Sequence, residues 1–487
     1  MATLPPPEKR MQPKPLGVSP ETHANDLWGK RYGTDDTVKI FGAEIMFGDL
    51  LYVQGQSVQV LSDMYPDYVP PAEAKLLVEK ANITDVSPAR IREFEAKKNH
   101  DIDAVNRAWE EQAVNINPNA GAHVNKLRAS ADSSVSANAL QMKKGLEVVA
   151  DSVENLRDIV LEKSLEWINT SHIDTSHLLD ALPTVAGRPF SHYAEMLQSD
   201  IFWIKTAHDN SIIGKWSDAT GNCHSAVDAK VDGRKLEREY CKRLGVGYTL
   251  APAQTPGREF IADVLFVLGR TLGTVGGLAE YVRQGRGSDR AIFRFPRGNK
   301  GSSSMPQKDL YGGNPIGEEQ AESFEMYING VITSGLESIQ FDYARDLKGS
   351  ALDRISLEGG FKCTDHAIRT MSKVMHSLIL VPERCEERVL RSYGTPTAPT
   401  FVVYLTDPRR MKPPMSRSEA TDLIAELATS AFVQKKDFYK VLLEDTRIVS
   451  KIPEDEIRRM ANPITYIGDS KDVVNKVYDA FHGKKTF

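Results

Sequence analysis

Cysteine is scarce: Cys223, Cys241, Cys363 and Cys385 are the only four in 487 residues, with no CxxC spacing and no histidine cluster beside them. That excludes a disulfide framework or a cysteine-built zinc site and points to idle thiols in a reducing compartment. Charge of one sign is lacking too. The formal net charge is −5, which gives no electrostatic case for nucleic-acid binding. No apolar run in the sequence approaches the ~20 residues of a membrane span. The first fifteen residues hold five prolines and no apolar segment, which excludes a secretory signal. No glycine-rich phosphate loop of the Walker or Rossmann type is present. The expectation is a cytoplasmic protein with no metal, no cofactor, and neither nucleic acid nor membrane as partner.

What the chain does have is helical patterning. Met142, Leu146, Val149, Val153, Leu156 and Val160 step by 4, 3, 4, 3, 4. Leu265, Leu268, Leu272, Val275, Ala279 and Val282 repeat the spacing, and Phe361, Ile368, Met371, Met375 and Leu378 form a third stripe. Narrow seams on long helices with few strands between them predict an all-α fold in three helical domains, its central long-helix bundle assembling between subunits. The boundaries expected are a disordered proline-rich tail over 1–20, an N-terminal helical domain over 21–118, the central bundle over 119–378, and a C-terminal helical domain over 379–487.

The chemistry-bearing stretch is Gly301 to Lys308, Gly-Ser-Ser-Ser-Met-Pro-Gln-Lys, followed by Asn314-Pro315. Three hydroxyls, a proline and a lysine make poor core material, and Arg294, Arg297 and Lys300 precede them. A serine becomes a base only where cations and backbone N–H groups stabilise its alkoxide. A flexible surface turn is the alternative. Arg31-Tyr32 pairs a guanidinium with a phenol, a combination suited to phosphate. Asn99-His100-Asp101 sets a histidine beside a carboxylate within a charged helical segment. Ser130 and Asp132 precede the first long helix, where they either cap it or meet an anion. Val185 to Pro189 reads as a turn ahead of His192.

The pattern Gly-Ser-Ser-x-Met-Pro-x-Lys resembles the signature of the fumarase/aspartase superfamily. The order of the other motifs resembles its adenylosuccinate lyase branch, in register from about residue 30 to 480. The resemblance implies Ser302 as general base, with Ser303 beside it, and Lys308 and Asn314 on the substrate carboxylate. It implies His100, between Asn99 and Asp101, in the active site and Gln254 on the substrate. Arg31, Tyr32, Ser350 and Arg354 would meet a phosphate, and Arg345 the substrate. Asn462 to Gly468 resembles the family's closing Pro-x-x-Tyr-Ile-Gly. A homotetramer follows, each active site shared between three chains and acting on a small molecule.

Two departures bear on mechanism. The family's acid histidine falls on Ala186, and its Thr-Ser pair becomes Ala129-Ser130. Asp309 to Gly313 also separates Lys308 from Asn314, where the family has one residue. His100, then His192, are the substitutes for the acid. The activity implied is an anti β-elimination of fumarate from an N-succinyl compound. The alternatives are a divergent lyase on a non-nucleotide succinyl or dicarboxylate substrate, and an inactive structural homologue.

Overall fold

All three apolar stripes become the buried seams of long helices: every residue in them is at most 4% exposed. A computed structural model describes Ala2 and residues 4–14, 31–298 and 304–487. Helices are labelled here where they bear on the site: α1 (Ala43–Met64), α2 (Pro88–Lys98), α3 (Asp101–Val114), α4 (Ser130–Glu166), α5 (Arg188–Asn210), α6 (Glu259–Arg286), α7 (Ile316–Glu337), α8 (Lys348–Ser377), α9 (Arg417–Gln434) and α10 (Ser470–Phe481). Among the described residues the fold is all-α apart from one antiparallel hairpin, β1 (Ser171–Ser176) with β2 (Leu179–Val185), and a two-residue strand pair.

Helix α4 is the axis. Its 37 residues extend about 55 Å at 1.5 Å per residue. Helices α5 and α8 pack directly against it, and α6 and α7 complete the bundle by packing on those two, through Leu146, Val153, Leu268, Val275, Ile328, Phe361 and Ile368. A separate core gathers α1 and α3 about the fully buried Trp109, whose indole N–H donates to the Leu77 carbonyl at 3.0 Å. Ala137 and Leu140 on α4 belong to that core, so one helix serves both. A third core, with Phe401, Leu405, Leu427 and Phe438, forms the C-terminal domain, in which a Ser416–Glu419 capping box starts α9. Helix α10 then returns to the bundle, where Val474 and Tyr478 enter its core.

Three features bear on these expectations. Residues 4–14 of the proline-rich tail are laid along α4: Arg10 pairs with Glu166 at 3.0 Å, and the Met11 N–H donates to the Glu162 carboxylate at 2.9 Å. A polar tail binds there because its free main-chain amides find carboxylates. Helix α6 holds an 18-residue window of mean hydropathy 1.4, enough by length and composition for a membrane span. It is apolar because α5, α7 and α8 enclose it, and 67% of that window is buried. Finally, the seams are covered within one chain and do not wait for a partner. The apolar surface left open lies elsewhere, at Phe266, Met326 and Ile355, which are 50%, 66% and 67% exposed.

The turn joining the hairpin to α5 is set by contact. A Cβ on Gly187 would stand 1.9 Å from the Ser164 carbonyl oxygen, and the Ser164 hydroxyl donates to the Gly187 carbonyl at 2.7 Å. Gly187→Ala is expected to cost ~1–3 kcal/mol by forcing hairpin and helix apart. A thermal scan should show the lowered midpoint; an unchanged one would mean that this approach is looser than described.

Candidate functional site

A cavity of about 360 Å³ opens where α1 and α3 meet the first turns of α4, α6 and α8. Local sequence explains how α3 reaches it. Ser87 caps α2 by accepting from the Arg90 N–H, and Pro88 takes the first helical position. Asn99 ends α2 in the left-handed conformation (φ 51°), and His100 at once caps α3, its Nδ1 accepting from the Asp103 N–H at 3.3 Å. This elbow turns Asp101 into the cavity, where its Oδ2 accepts from Arg354 at 2.5 Å. His100 stands beside it with its side chain 50% exposed, its Nδ1 3.7 Å from Asp101 Oδ1.

Three guanidiniums converge on the same wall. Arg354 and Arg345 come from α8 and the segment before it, and Arg258 comes from the turn before α6. Arg258 grips Asp353 with two nitrogens, at 2.5 and 3.1 Å, and both side chains are 11% exposed. Burial raises the Asp353 carboxyl above its usual range, and Arg258 pulls it back. Burial lowers the Arg345 guanidinium below its ordinary value, against the pull of Asp101. Arg258 lies across Gly349, where a Cβ would stand 2.3 Å from its Cζ. Ser350 completes the polar wall, and Phe41, Phe47, Phe260 and Met142 line the rest. Three guanidiniums, two of them paired with Asp101 and Asp353, stand against an aromatic lining, an arrangement that can take a flat organic anion at the arginines.

The residues expected from sequence thus divide by place. Asp101, Arg345, Ser350 and Arg354 line the cavity, and Asn99 and His100 flank it. Ser130 is the first residue of α4, and Ser134 and Asn138 farther along that helix face the cavity. Gln254 sits half-buried in the loop whose Thr255 and Pro256 line it. Asp132 does not belong with them. It is fully buried, paired with Lys215, and accepts from the Ala129, Ser217 and Asp218 N–H groups at 2.8, 3.1 and 3.2 Å. Its carboxylate holds the fold.

A second group lies farther along the bundle. Lys308 donates to Asn314 Oδ1 at 3.0 Å, so the five residues between them do not part the pair. They wind into a 3₁₀ turn, and Gly312 and Gly313 at φ 80° and 84° fold the chain back. Arg31 Nε donates to the Tyr32 hydroxyl at 3.2 Å, and the Tyr32 ring stands edge-on to His366 at 5.4 Å. Burial lowers His366 to about 4, so it is neutral at pH 7. Sixteen residues of α8 separate Ser350 from His366, about 24 Å. Ala186 lies beyond the other end of α4: it is 2% exposed, and its N–H donates to the Thr170 carbonyl at 2.8 Å. Ser134 and Ser164 are thirty residues apart on α4, about 45 Å. One chain therefore keeps these motifs apart. Ser302 and Ser303 lie outside the described residues.

Sequence reasoning missed Arg258 and Asp353. The Pro256-Gly257 turn before an apolar helix was the available signal for the arginine.

Comparison with known proteins adds a separate line. A family model described as Lyase matches residues 69–330, and one described as Adenylosuccinate lyase C-terminus matches residues 410–477. Adenylosuccinate lyase of Pyrococcus horikoshii is 27% identical over 451 residues, spanning 92% of this chain and 96% of its own length. That of Methanocaldococcus jannaschii is 26% identical over 458 residues, spanning 93% and 96%. Among solved structures, beta-carboxy-cis,cis-muconate cycloisomerase from Acinetobacter calcoaceticus gives a TM-score of 0.80 at 16% identity, covering 93% of this chain and 100% of its own. A fumarate lyase from Mesorhizobium gives 0.80 at 18%, covering 94% and 99%. At these identities the structural likeness establishes a shared fold.

Proposed function

The chain belongs to the fumarase/aspartase superfamily of lyases, and we propose that it is a cytoplasmic carbon–nitrogen lyase that eliminates fumarate from an N-succinyl compound bearing a phosphate. The observation that carries this reading is the wall of Arg345, Ser350 and Arg354 facing an aromatic cavity. Guanidinium forks suit a phosphate, and the Phe41 and Phe47 side suits a planar base. Adenylosuccinate has both parts, and the curated relatives carry its name.

The chemistry is limited by its first step, because a proton α to a carboxylate is very weakly acidic. In this reading Ser302 removes it. Lys308 and Asn314, held together at 3.0 Å, take the carboxylate where negative charge develops, near the N-terminus of α7. The leaving nitrogen then needs a proton. His100 is the first candidate: its Nδ1 accepts from the Asp103 N–H, which leaves Nε2 to carry the hydrogen.

Lys308 and the phosphate wall are too far apart in one chain to act on one small molecule. The reading therefore requires a homotetramer whose sites draw on three chains, with the open faces of Phe266, Met326 and Ile355 as contact surfaces. Following fumarate by ultraviolet absorbance, with light scattering on the same sample, tests both parts. Release from adenylosuccinate by a tetramer is expected. Turnover by a monomer would end the shared-site reading.

One observation favours a second substrate class. Ala186 is sealed in the core and cannot donate a proton, which suits a non-nucleotide succinyl compound whose leaving group needs none. Silence on adenylosuccinate with activity on such a compound would establish that reading instead.

A further inference from the structure

A larger cavity, about 630 Å³, lies between the β-hairpin, the start of α5 and the start of α10. Within one chain it is at the opposite end of α4 from the arginine wall. Arg188 and His192 line it from one face of α5, Asp174 from β1, and Asp469 and Ser470 from the beginning of α10. Among the described residues, no salt bridge joins Arg188 to either carboxylate, and Asp174 accepts only from its neighbour, the Thr175 N–H, at 3.0 Å. Among the described residues, two hydroxyls in the wall have no partner. They are Ser470 Oγ, on a residue 5% exposed, and the buried Tyr281 oxygen. Neither α5 nor α10 has a side-chain cap, so both helix starts bring positive partial charge to the same space.

Buried hydroxyls without a partner are costly unless something completes them, and the half-exposed Arg188 and Asp174 reach the same space. Water or a simple anion would satisfy the hydroxyls and Arg188, but an anion would leave Asp174 opposed. A ligand carrying both charges meets each. We propose that this cavity binds an amino acid, its carboxylate held by Arg188 and the α5 N-terminus and its ammonium by Asp174 beside the Tyr281 ring. Aromatic faces next to a carboxylate favour an ammonium group. Asp469 is exposed at the rim and stays solvated.

The test uses the full chain and the proteinogenic L-amino acids, screened by thermal shift and then by calorimetric titration. The best binder is compared with its deamino acid and its decarboxylated amine. Binding of one amino acid is expected, weakened roughly tenfold or more for either analogue, for Arg188→Gln and for Asp174→Asn. Each variant's ligand-free unfolding midpoint is measured alongside, so a folding defect in one leaves the other to decide. Arg354→Gln, in the first cavity, should bind as the parent does. The proposal is overturned if no amino acid binds at millimolar concentration, if the deamino acid binds as tightly, or if both variants keep parental affinity. Binding is read without turnover, so the result is independent of which compound the lyase cleaves.

Discussion

The Ser302→Ala variant is expected to lose ~10²–10⁴ of its kcat while remaining assembled, the usual cost of removing a general base. The motif supplies the reason. Arg294, Arg297 and Lys300 precede the serine and Lys308 follows it, so an alkoxide there gains from positive charge that an isolated serine lacks. Lys308→Met should also lower turnover, by weakening support for the carboxylate as charge builds on it. Its effect should fall on kcat more than on KM, because that charge is largest in the transition state. Light scattering on both variants separates lost chemistry from lost assembly. Undiminished turnover by an assembled Ser302→Ala protein would falsify the assignment of the base.

The second large effect is on stability. Asp132→Ala should cost ~3–5 kcal/mol, because it strands the Lys215 ammonium in the interior. Both side chains are 0% exposed, and without Asp132 the ammonium keeps only the Asp218 carbonyl at 2.7 Å. The same change removes the acceptor for three main-chain N–H groups, including the one that starts α4 at Ala129. Adding Lys215→Met should restore part of the loss, since two apolar side chains bury more cheaply than one lone charge. Denaturation midpoints of the single and double variants check this. A single variant as stable as the parent would return Asp132 to the ligand-facing set.

The contrast between Asp132 and Asp101 shows what can be read along a chain. Asp101 follows a helix-ending asparagine and a capping histidine, so its placement depends on neighbours one and two residues away. Asp132 has similar local surroundings, a serine-rich stretch at the start of a helix, but its partner lies 83 residues farther on. Arg258 and Asp353, 95 residues apart, escaped notice for the same reason. The seams were legible because a helix repeats its burial every three or four residues. Their coverage within one chain was not, since that depends on which helices meet. Likewise the chain between Lys308 and Asn314 reads as a separation, and only the two left-handed glycines bring its ends back together.

Helix α4 gives up Ala137 and Leu140 to the N-terminal core and Ala139, Met142 and Leu146 onward to the bundle, with no break between them. A rod embedded at both ends offers no pivot. The two bodies that frame the arginine cavity are therefore joined by one unbroken rod, while the segment leading into α6 and the stretch from Phe341 to Asp346 ahead of α8 border the cavity without belonging to that rod.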